Sequence, residues 1–522
     1  VIDFDSQFDV VNFDHTMVID YVGISLVVIF YVCILFVAGW IAKKKNVLQS
    51  ETKDDLLVAG RTISPLITIL TLTATEVGGG FLNGSSEEVF KRGLLWCQAP
   101  VGYALSFFIN GIFFVEEIRN HGYLSITDPL QEVFGSVMGA VLFLAPIIGD
   151  ICWTASVLSA LGSTLSVVLG VTSAVGIITG AVVAIFYTLI GGLYSVVYTD
   201  IIQLAMVFTG LYLCLPFLCT NPAVNLKLAN PSDWLGTIPS DRYFQYIDNY
   251  LLLICGGIPW QAFYQRILAC SSPNRVKCVS VASCCLVFVF LLPPVIIGVV
   301  ARVTDWNATG IADPLYPMEH PESVLPLTMK YLTPYLVGLL GLGAIAAAVM
   351  SSVDSGIFAS SVIVANNMYR IIRRQASNKE VIRVTRVSVV VIGLCSTLIA
   401  LNVSSIYGIW FLASDLGYVI LFPMFLCAIK LPNYVNWVGA CGSGAVTLVL
   451  RLLCGESLLG LPAVIQFPGY REGEQIFPFR TVIMMVCLSL LLLISGVVNL
   501  IRRSTYNIAG EELVGLRNTL RY

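Results

Sequence analysis

Apolar residues along the chain are grouped into segments of roughly bilayer length. An α-helix needs about 20 apolar residues to cross the hydrocarbon core of a membrane. The pattern predicts thirteen such helices, near residues 18–42, 62–84, 93–115, 138–167, 171–193, 199–219, 247–268, 281–302, 332–364, 384–402, 408–429, 434–453 and 481–501. An odd number of crossings places the two termini on opposite sides of the membrane.

The distribution of basic residues indicates which side each terminus occupies. Lysine and arginine collect on the cytoplasmic side of membrane proteins. They follow the first, seventh, ninth and last segments, at Lys43–Lys45, Arg266, Arg275, Lys277, Arg370, Arg373, Arg374, Lys379, Arg383, Arg386, Arg502 and Arg503. We therefore expect residues 1–17 to be an extracellular N-terminal segment, 18–501 a transmembrane domain, and 502–522 a short cytoplasmic tail.

Composition supports this class of protein. Of the 522 residues, 57% are hydrophobic and only 12% are charged, which is too few charges for the surface of a soluble protein of this length. The expected fold class is therefore an all-α polytopic membrane protein. A net charge of −3 gives no reason to expect a nucleic-acid partner.

Two of the predicted helices are interrupted near the middle of the bilayer. The second contains Glu76-Val77-Gly78-Gly79-Gly80, and the seventh contains Gly256-Gly257-Ile258-Pro259. Secondary transporters are often inverted repeats whose first helix is unwound at the midplane, so we expect repeats at about 62–219 and 247–429. The alternative is that the glycines only allow helices to pack closely.

Acidic side chains also occur inside the predicted membrane segments. They are Glu76, Asp150, Asp200, Asp354 and Asp415, whereas the basic residues Arg266, Arg302 and Arg451 lie at segment ends. An ionised carboxylate at the centre of a membrane helix costs about 2.5–3.5 kcal/mol on insertion scales. The excess of acid favours a bound cation, although any single acid could instead be protonated or hydrogen-bonded.

Small hydroxylic residues share one face of the ninth segment. Ala348, Ser351, Ser352 and Ser355 follow the i, i+3, i+4, i+7 spacing of a helix face. Such residues commonly pack helices together. Their oxygens are also suitable ligands for sodium.

Four aromatic residues in the predicted membrane segments are candidates for binding a cation. Trp153 is three positions after Asp150, Trp260 follows the second interruption, and Trp96 and Tyr103 lie in the third segment. A cage of such rings binds quaternary ammonium ions, at about 0.5–2 kcal/mol per ring. The alternative is that these rings pack helices or lie at the membrane interface.

With these motifs in view, the chain resembles the sodium:solute symporters, and within them the branch that carries choline. The stretches that carry the resemblance are TATEVGGGFLNG, CQAPVGYALS, LIGGLYSVVYTDIIQL, GGIPWQAFYQRIL, VTDWNATG, GLGAIAAAVMSSVDS, YGIWFLASDL and FPGY. The resemblance implies a leucine-transporter-type core of five plus five helices and uptake of choline that depends on sodium and chloride. It further implies the plasma membrane, with presynaptic and vesicle membranes as additional locations.

The resemblance also implies roles for individual residues. A sodium ion would be held by Ala74, Val77, Ala348, Ser351 and Ser352, choline by Tyr103, Trp153 and Trp260, and a second sodium or the coupling by Asp200 and Asp354. Glu456 also falls on an acid of the choline branch. Asn307-Ala308-Thr309 is a glycosylation sequon in a predicted outer loop.

One position departs from the family pattern. Glu76 stands where choline transporters have tryptophan, so that a cage ring is replaced by a carboxylate. The carboxylate could pair with the ammonium of choline, or the chain could carry another amine or a neutral solute. A ligand-gated channel or sensor on the same fold is a further alternative. An enzyme is not expected, because no nucleophile–base pattern is visible.

Overall fold

The structure is a computed structural model that describes residues 58–519, apart from 191–192, 226–230 and 472, and a few helical positions between 25 and 36. Most of the first predicted membrane helix and all of the N-terminal segment lie outside the described residues. The longer helices are α1 Pro65–Glu76, α2 Gly79–Arg92, α3 Ala99–Phe113, α4 Leu144–Leu169, α5 Ser173–Ile190, α6 Leu193–Thr220, α7 Tyr243–Gly257, α8 Gln261–Ala269, α9 Val276–Arg302, α10 Val324–Leu332, α11 Tyr335–Ile363, α12 Asn378–Asn402, α13 Ile406–Leu412, α14 Phe422–Lys430, α15 Trp437–Leu453 and α16 Phe479–Thr519.

Short helices and turns connect them. The α-helical ones are Val115–Asn120, Asp128–Phe134, Ser136–Leu142, Pro231–Leu235, Tyr316–Glu319 and Arg370–Ile372, the π-helical ones Val364–Tyr369 and Gly417–Leu421, and the 3-10 turns Ala59–Arg61, Leu94–Trp96, Ser240–Arg242, Pro273–Arg275, Trp306–Thr309, Pro321–Ser323 and Ser457–Leu459. Within the described ranges there are no strands, only four isolated backbone bridges. The all-α prediction is therefore confirmed.

Each of the twelve membrane segments predicted between residues 62 and 501 coincides with one helix or with two or three consecutive helices. Seven helices of the described part are long and apolar enough to cross a membrane, and the bent pair α1–α2 makes an eighth. The total of thirteen crossings and the extracellular N-terminus stay predictions. The last helix continues to Thr519, so the segment predicted as a tail from residue 502 is largely helical.

The outer surface of the bundle is apolar, as a lipid environment requires. On α12, Val387, Val391, Leu394 and Leu398 are all more than half exposed, and their spacing places them on one face of the helix. By contrast, α11 is buried on every side from Ala344 to Ile363. It therefore forms the centre of the bundle, where α4 and α6 pack against it.

The first predicted interruption is a real break, bent by 51° between α1 and α2. Val77 has a ψ of 65° and Gly78 is extended, with a ψ of −174°. A Cβ atom on Gly78 would lie 2.3 Å from the Ser352 Oγ, and one on Gly79 would lie 2.7 Å from the Ala160 Cβ. The glycines thus serve both functions that the sequence suggested: they accompany the break and they allow close packing.

The second interruption separates α7 from α8 at Ile258, Pro259 and Trp260. The backbone carbonyl freed at Ile258 accepts a hydrogen bond of 3.1 Å from the Asn110 amide. Gly256 is equally constrained, since a Cβ there would lie 2.5 Å from the Ser414 carbonyl oxygen. Both broken helices therefore fit tightly around one region of the bundle.

Candidate substrate cavity and sodium sites

A cavity lies between the two helix breaks, and all four predicted substrate-binding residues line it. Glu76 comes from the end of α1, Tyr103 from α3, Trp153 from α4, and Trp260 from the break just before α8. The remaining wall consists largely of small residues together with Asp150 and Trp410. Residues from distant parts of the sequence are thus brought together as predicted, while their role in binding stays a prediction.

The aromatic rings of the cavity form two pairs. Trp153 and Trp260 meet edge to face, with centroids 5.4 Å apart and an interplanar angle of 72°. Tyr103 stacks on Trp410 at 5.2 Å and 24°. Trp410 is a ring that the sequence reasoning did not select, although it lies in the quoted stretch YGIWFLASDL. The cavity wall therefore contains four rings, even though position 76 lacks one.

Trp96, the other aromatic residue singled out in the sequence, lies elsewhere. Its indole N–H donates to the Thr237 carbonyl at 3.1 Å, and the Arg92 guanidinium lies 4.7 Å from its ring centroid. Its ring also meets Tyr246 edge to face. Trp96 therefore packs a connecting segment and takes no part in the cavity.

The two carboxylates of the cavity differ in their hydrogen bonds. Asp150 accepts from the Trp260 indole N–H at 3.1 Å through one oxygen and from the Ser360 hydroxyl through the other. Glu76 is 2% exposed, and its Oε1 has no hydrogen-bond partner among the described residues. Asp150 thus holds a tryptophan ring in place, whereas Glu76 presents a buried acceptor that is still available.

The predicted sodium ligands lie around the backbone on either side of Glu76. The Ser351 hydroxyl is 3.1 Å from the Ala74 carbonyl oxygen and 2.9 Å from that of Ala348. Ser352 donates to the Thr75 carbonyl at 3.0 Å and lies against Gly78, the residue after Val77. Ala74, Ala348, Ser351 and Ser352 are therefore brought together beside the break that contains Val77, and the Thr75 carbonyl is an additional oxygen that the sequence did not indicate.

The second predicted position contains an unexpected arginine. Arg266, assigned from sequence to a segment end, is buried, and its guanidinium lies 3.6 Å from an oxygen of Asp200. Thr71 also donates to that carboxylate. One oxygen of Asp200 and one of Asp354 nevertheless have no partner among the described residues. Carboxylate oxygens are suitable ligands for sodium, but Arg266 already offsets part of the negative charge at this position.

Asp415 is also fully paired, which corrects the inference that the membrane acids are in unbalanced excess. It accepts from Arg451 and, at 2.8 Å, from the Arg480 Nε. Arg451 also donates to Glu456 at 2.6 Å. These four side chains form one ion cluster, so neither Asp415 nor Glu456 is free to neutralise a transported cation. The membrane acids left for that role are Glu76, the Asp200–Asp354 pair, and Asp150, whose hydrogen-bond donors are the neutral side chains of Trp260 and Ser360.

The predicted glycosylation site is accessible. Asn307 is exposed in the turn Trp306–Thr309. Asn83-Gly84-Ser85 also matches the sequon pattern, but the Asn83 side chain is buried and donates to oxygens of α4. Modification of Asn307 stays a prediction.

Comparison with known proteins agrees with this architecture. A solved structure of a Na+-coupled sialic acid symporter, in a substrate-bound outward-open state, superposes with a TM-score of 0.72 at 17% identity, covering 91% of this chain and 98% of that one. The two chains therefore share a fold.

Relatives of higher identity are also transporters. A high-affinity choline transporter 1 from Drosophila melanogaster is 43% identical over 482 residues, covering 91% of this chain and 78% of the relative. The one from Homo sapiens is 39% identical over 495 residues, covering 90% and 85%. The family model for the sodium:solute symporters matches residues 56–446, and the chain belongs to that family.

Proposed function

We propose that this chain is a sodium-coupled symporter for a small organic cation, with choline as the first substrate to test. The observation that carries the proposal is the cavity between the two helix breaks. It combines four aromatic rings with a buried carboxylate whose Oε1 is unpartnered among the described residues. The names of the relatives point to choline.

The cavity is suited to a cation for two physical reasons. Aromatic faces attract an ammonium ion through their quadrupole, by about 0.5–2 kcal/mol each. A buried carboxylate without a counter-charge is unfavourable, and a cation bound beside Glu76 would offset that cost. A neutral solute would leave Glu76 uncompensated, so the structure favours the cation.

Sodium would couple to the substrate through the break itself. The proposed ligands lie in or against the stretch of backbone from Ala74 to Gly78, which contains Glu76. Ala74 and Val77 belong to this stretch, while Ser351 contacts Ala74 and Ala348, and Ser352 lies against Gly78. An ion there would hold the unwound backbone in the form that shapes the cavity. Entry of each sodium ion down a 100 mV potential supplies about 2.3 kcal/mol.

A second sodium at Asp200 and Asp354 is part of the same proposal. Arg266 contacts Ser355, whose hydroxyl in turn donates to the Ser351 carbonyl at 2.6 Å. The two proposed ion positions are thus linked by hydrogen bonds. Chloride dependence and a plasma-membrane location follow from the family resemblance and stay predictions.

Ser351→Ala tests the sodium site. The Ser351 hydroxyl is expected to contribute about 1.5–3 kcal/mol to the free energy of sodium binding, because its partner is a charged ion. The sodium concentration that gives half-maximal uptake should therefore rise roughly tenfold or more. The measurement is uptake of labelled choline as a function of sodium concentration.

The matched control is Ser361→Ala. Ser361 is on the same helix, is equally buried, and donates to the backbone at Ile357. The control should keep the sodium dependence of the wild type. An unchanged sodium requirement in Ser351→Ala, with protein at the cell surface, would remove Ser351 from the site.

A further inference from the structure

We propose that Glu76 accepts a hydrogen bond from the substrate nitrogen, so that the cavity prefers ammonium ions carrying an N–H over quaternary ones. This inference rests on the proposed function and defines its substrate class. Choline has no N–H, whereas the protonated forms of primary, secondary and tertiary amines have at least one.

The position of Glu76 gives the first reason. It is the last residue of α1 and one of the residues that line the cavity. The C-terminal end of a helix carries a partial negative charge and unsatisfied carbonyl groups. Both the side chain and the helix end therefore favour a positively charged hydrogen-bond donor at this point.

The neighbouring polar groups give the second reason, because they already bond to one another. The Trp260 indole N–H donates to Asp150. The Tyr103 hydroxyl donates to the Trp410 carbonyl at 3.2 Å and accepts from Ser414 at 2.5 Å. Glu76 Oε1 differs, since it is buried and has no partner among the described residues. A substrate bound in the cavity can supply a donor to this oxygen.

The rings set an opposing requirement. Trp153 and Trp260 offer aromatic surface that suits N-methyl groups, and each N–H added to the substrate removes one methyl group. A tertiary amine satisfies both sides, with two methyl groups for the rings and one N–H for Glu76. A site built to hydrogen-bond a donor discriminates against an analogue that lacks it.

The test is a series of 2-aminoethanols with zero, one, two or three N-methyl groups, the last being choline. All four keep the hydroxyl and are cationic at neutral pH. Sodium-dependent uptake is measured for the wild type, Glu76→Gln and Glu76→Met. We expect half-saturation by the dimethyl compound at a concentration about tenfold below that for choline, equivalent to about 1.4 kcal/mol.

The two variants separate charge from hydrogen bonding. Glu76→Gln keeps an acceptor and should keep the preference for the dimethyl compound, at lower affinity throughout. Glu76→Met keeps the length without an acceptor and should lose that preference. A third variant, Glu76→Trp, should favour choline, because it adds a ring.

The outcomes distinguish the two proposals. If the wild type takes up choline as well as or better than the dimethyl compound, this inference is overturned and the proposed function is not. An equal loss for all four compounds in Glu76→Met also overturns it, because Glu76 would then read the shared hydroxyl or only the charge. If the protein reaches the cell surface but takes up none of the four compounds in a sodium-dependent way, the proposed function itself is overturned.

Discussion

Replacing Gly78 with alanine is expected to reduce sodium-dependent uptake by about tenfold or more. The added Cβ would lie 2.3 Å from the Ser352 Oγ and 2.7 Å from its Cβ. Overpacking of this kind costs about 1–3 kcal/mol, and a cost of that size shifts a coupled equilibrium by about 5- to 150-fold. The backbone itself accepts alanine, since Gly78 has a φ of −96°, so the effect comes from contact with the proposed sodium ligand.

The matched control for this change is Gly343→Ala. Gly343 lies within α11, the helix that carries Ser352, and a Cβ there would have no neighbour within 4 Å among the described residues. Alanine also favours a helix more than glycine does, by about 0.8–1 kcal/mol. Gly343→Ala should therefore transport normally. Equal transport by Gly78→Ala and the wild type would show that close packing at the break is dispensable.

Replacing Arg266 with methionine is expected to destabilise the whole bundle. Arg266 is buried and is 3.6 Å from Asp200, while its Nε donates to Thr71 at 3.3 Å. Removing one partner of a buried ion pair costs about 3–5 kcal/mol, because the other charge is left uncompensated. Thermal unfolding of the purified protein in detergent should therefore occur at a clearly lower temperature.

Asp200→Asn supplies the matched rescue. The double variant Arg266→Met, Asp200→Asn has neither charge, so it should recover much of the lost stability. It should still fail to transport if Asp200 also belongs to the second sodium position. A single Arg266→Met variant as stable as the wild type would contradict the buried ion pair.

The helix breaks and the helical segments could be predicted from the sequence because their signals are local. Glycine weakens a helix and proline removes a backbone donor, so Gly78–Gly80 and Pro259 indicated both breaks. Such residues do not always interrupt a helix, since Pro216, Pro293 and Pro294 lie inside continuous helices. The cavity residues beside those breaks followed from the same signal and from the family resemblance. The helical segments could be located because apolar length alone identifies them.

What sequence could not provide is the pairing of residues between helices. Arg266 and Asp200 belong to different helices. An apolar stripe normally shows which face of a helix packs inward, but helices such as α11 are buried on all sides and have no such stripe. The ion cluster of Asp415 and Arg480, 65 positions apart, was missed for the same reason. Trp410 was overlooked because neither a helix break nor an unpaired acid marks its position in the sequence.

The most direct test of the central claim uses purified protein reconstituted into vesicles with an inward sodium gradient. A symporter is expected to accumulate labelled choline or its dimethyl analogue above the external concentration, and a sodium ionophore should abolish that accumulation. Substrate-evoked current with no accumulation of either compound would contradict the account and would indicate a channel or sensor on the same fold.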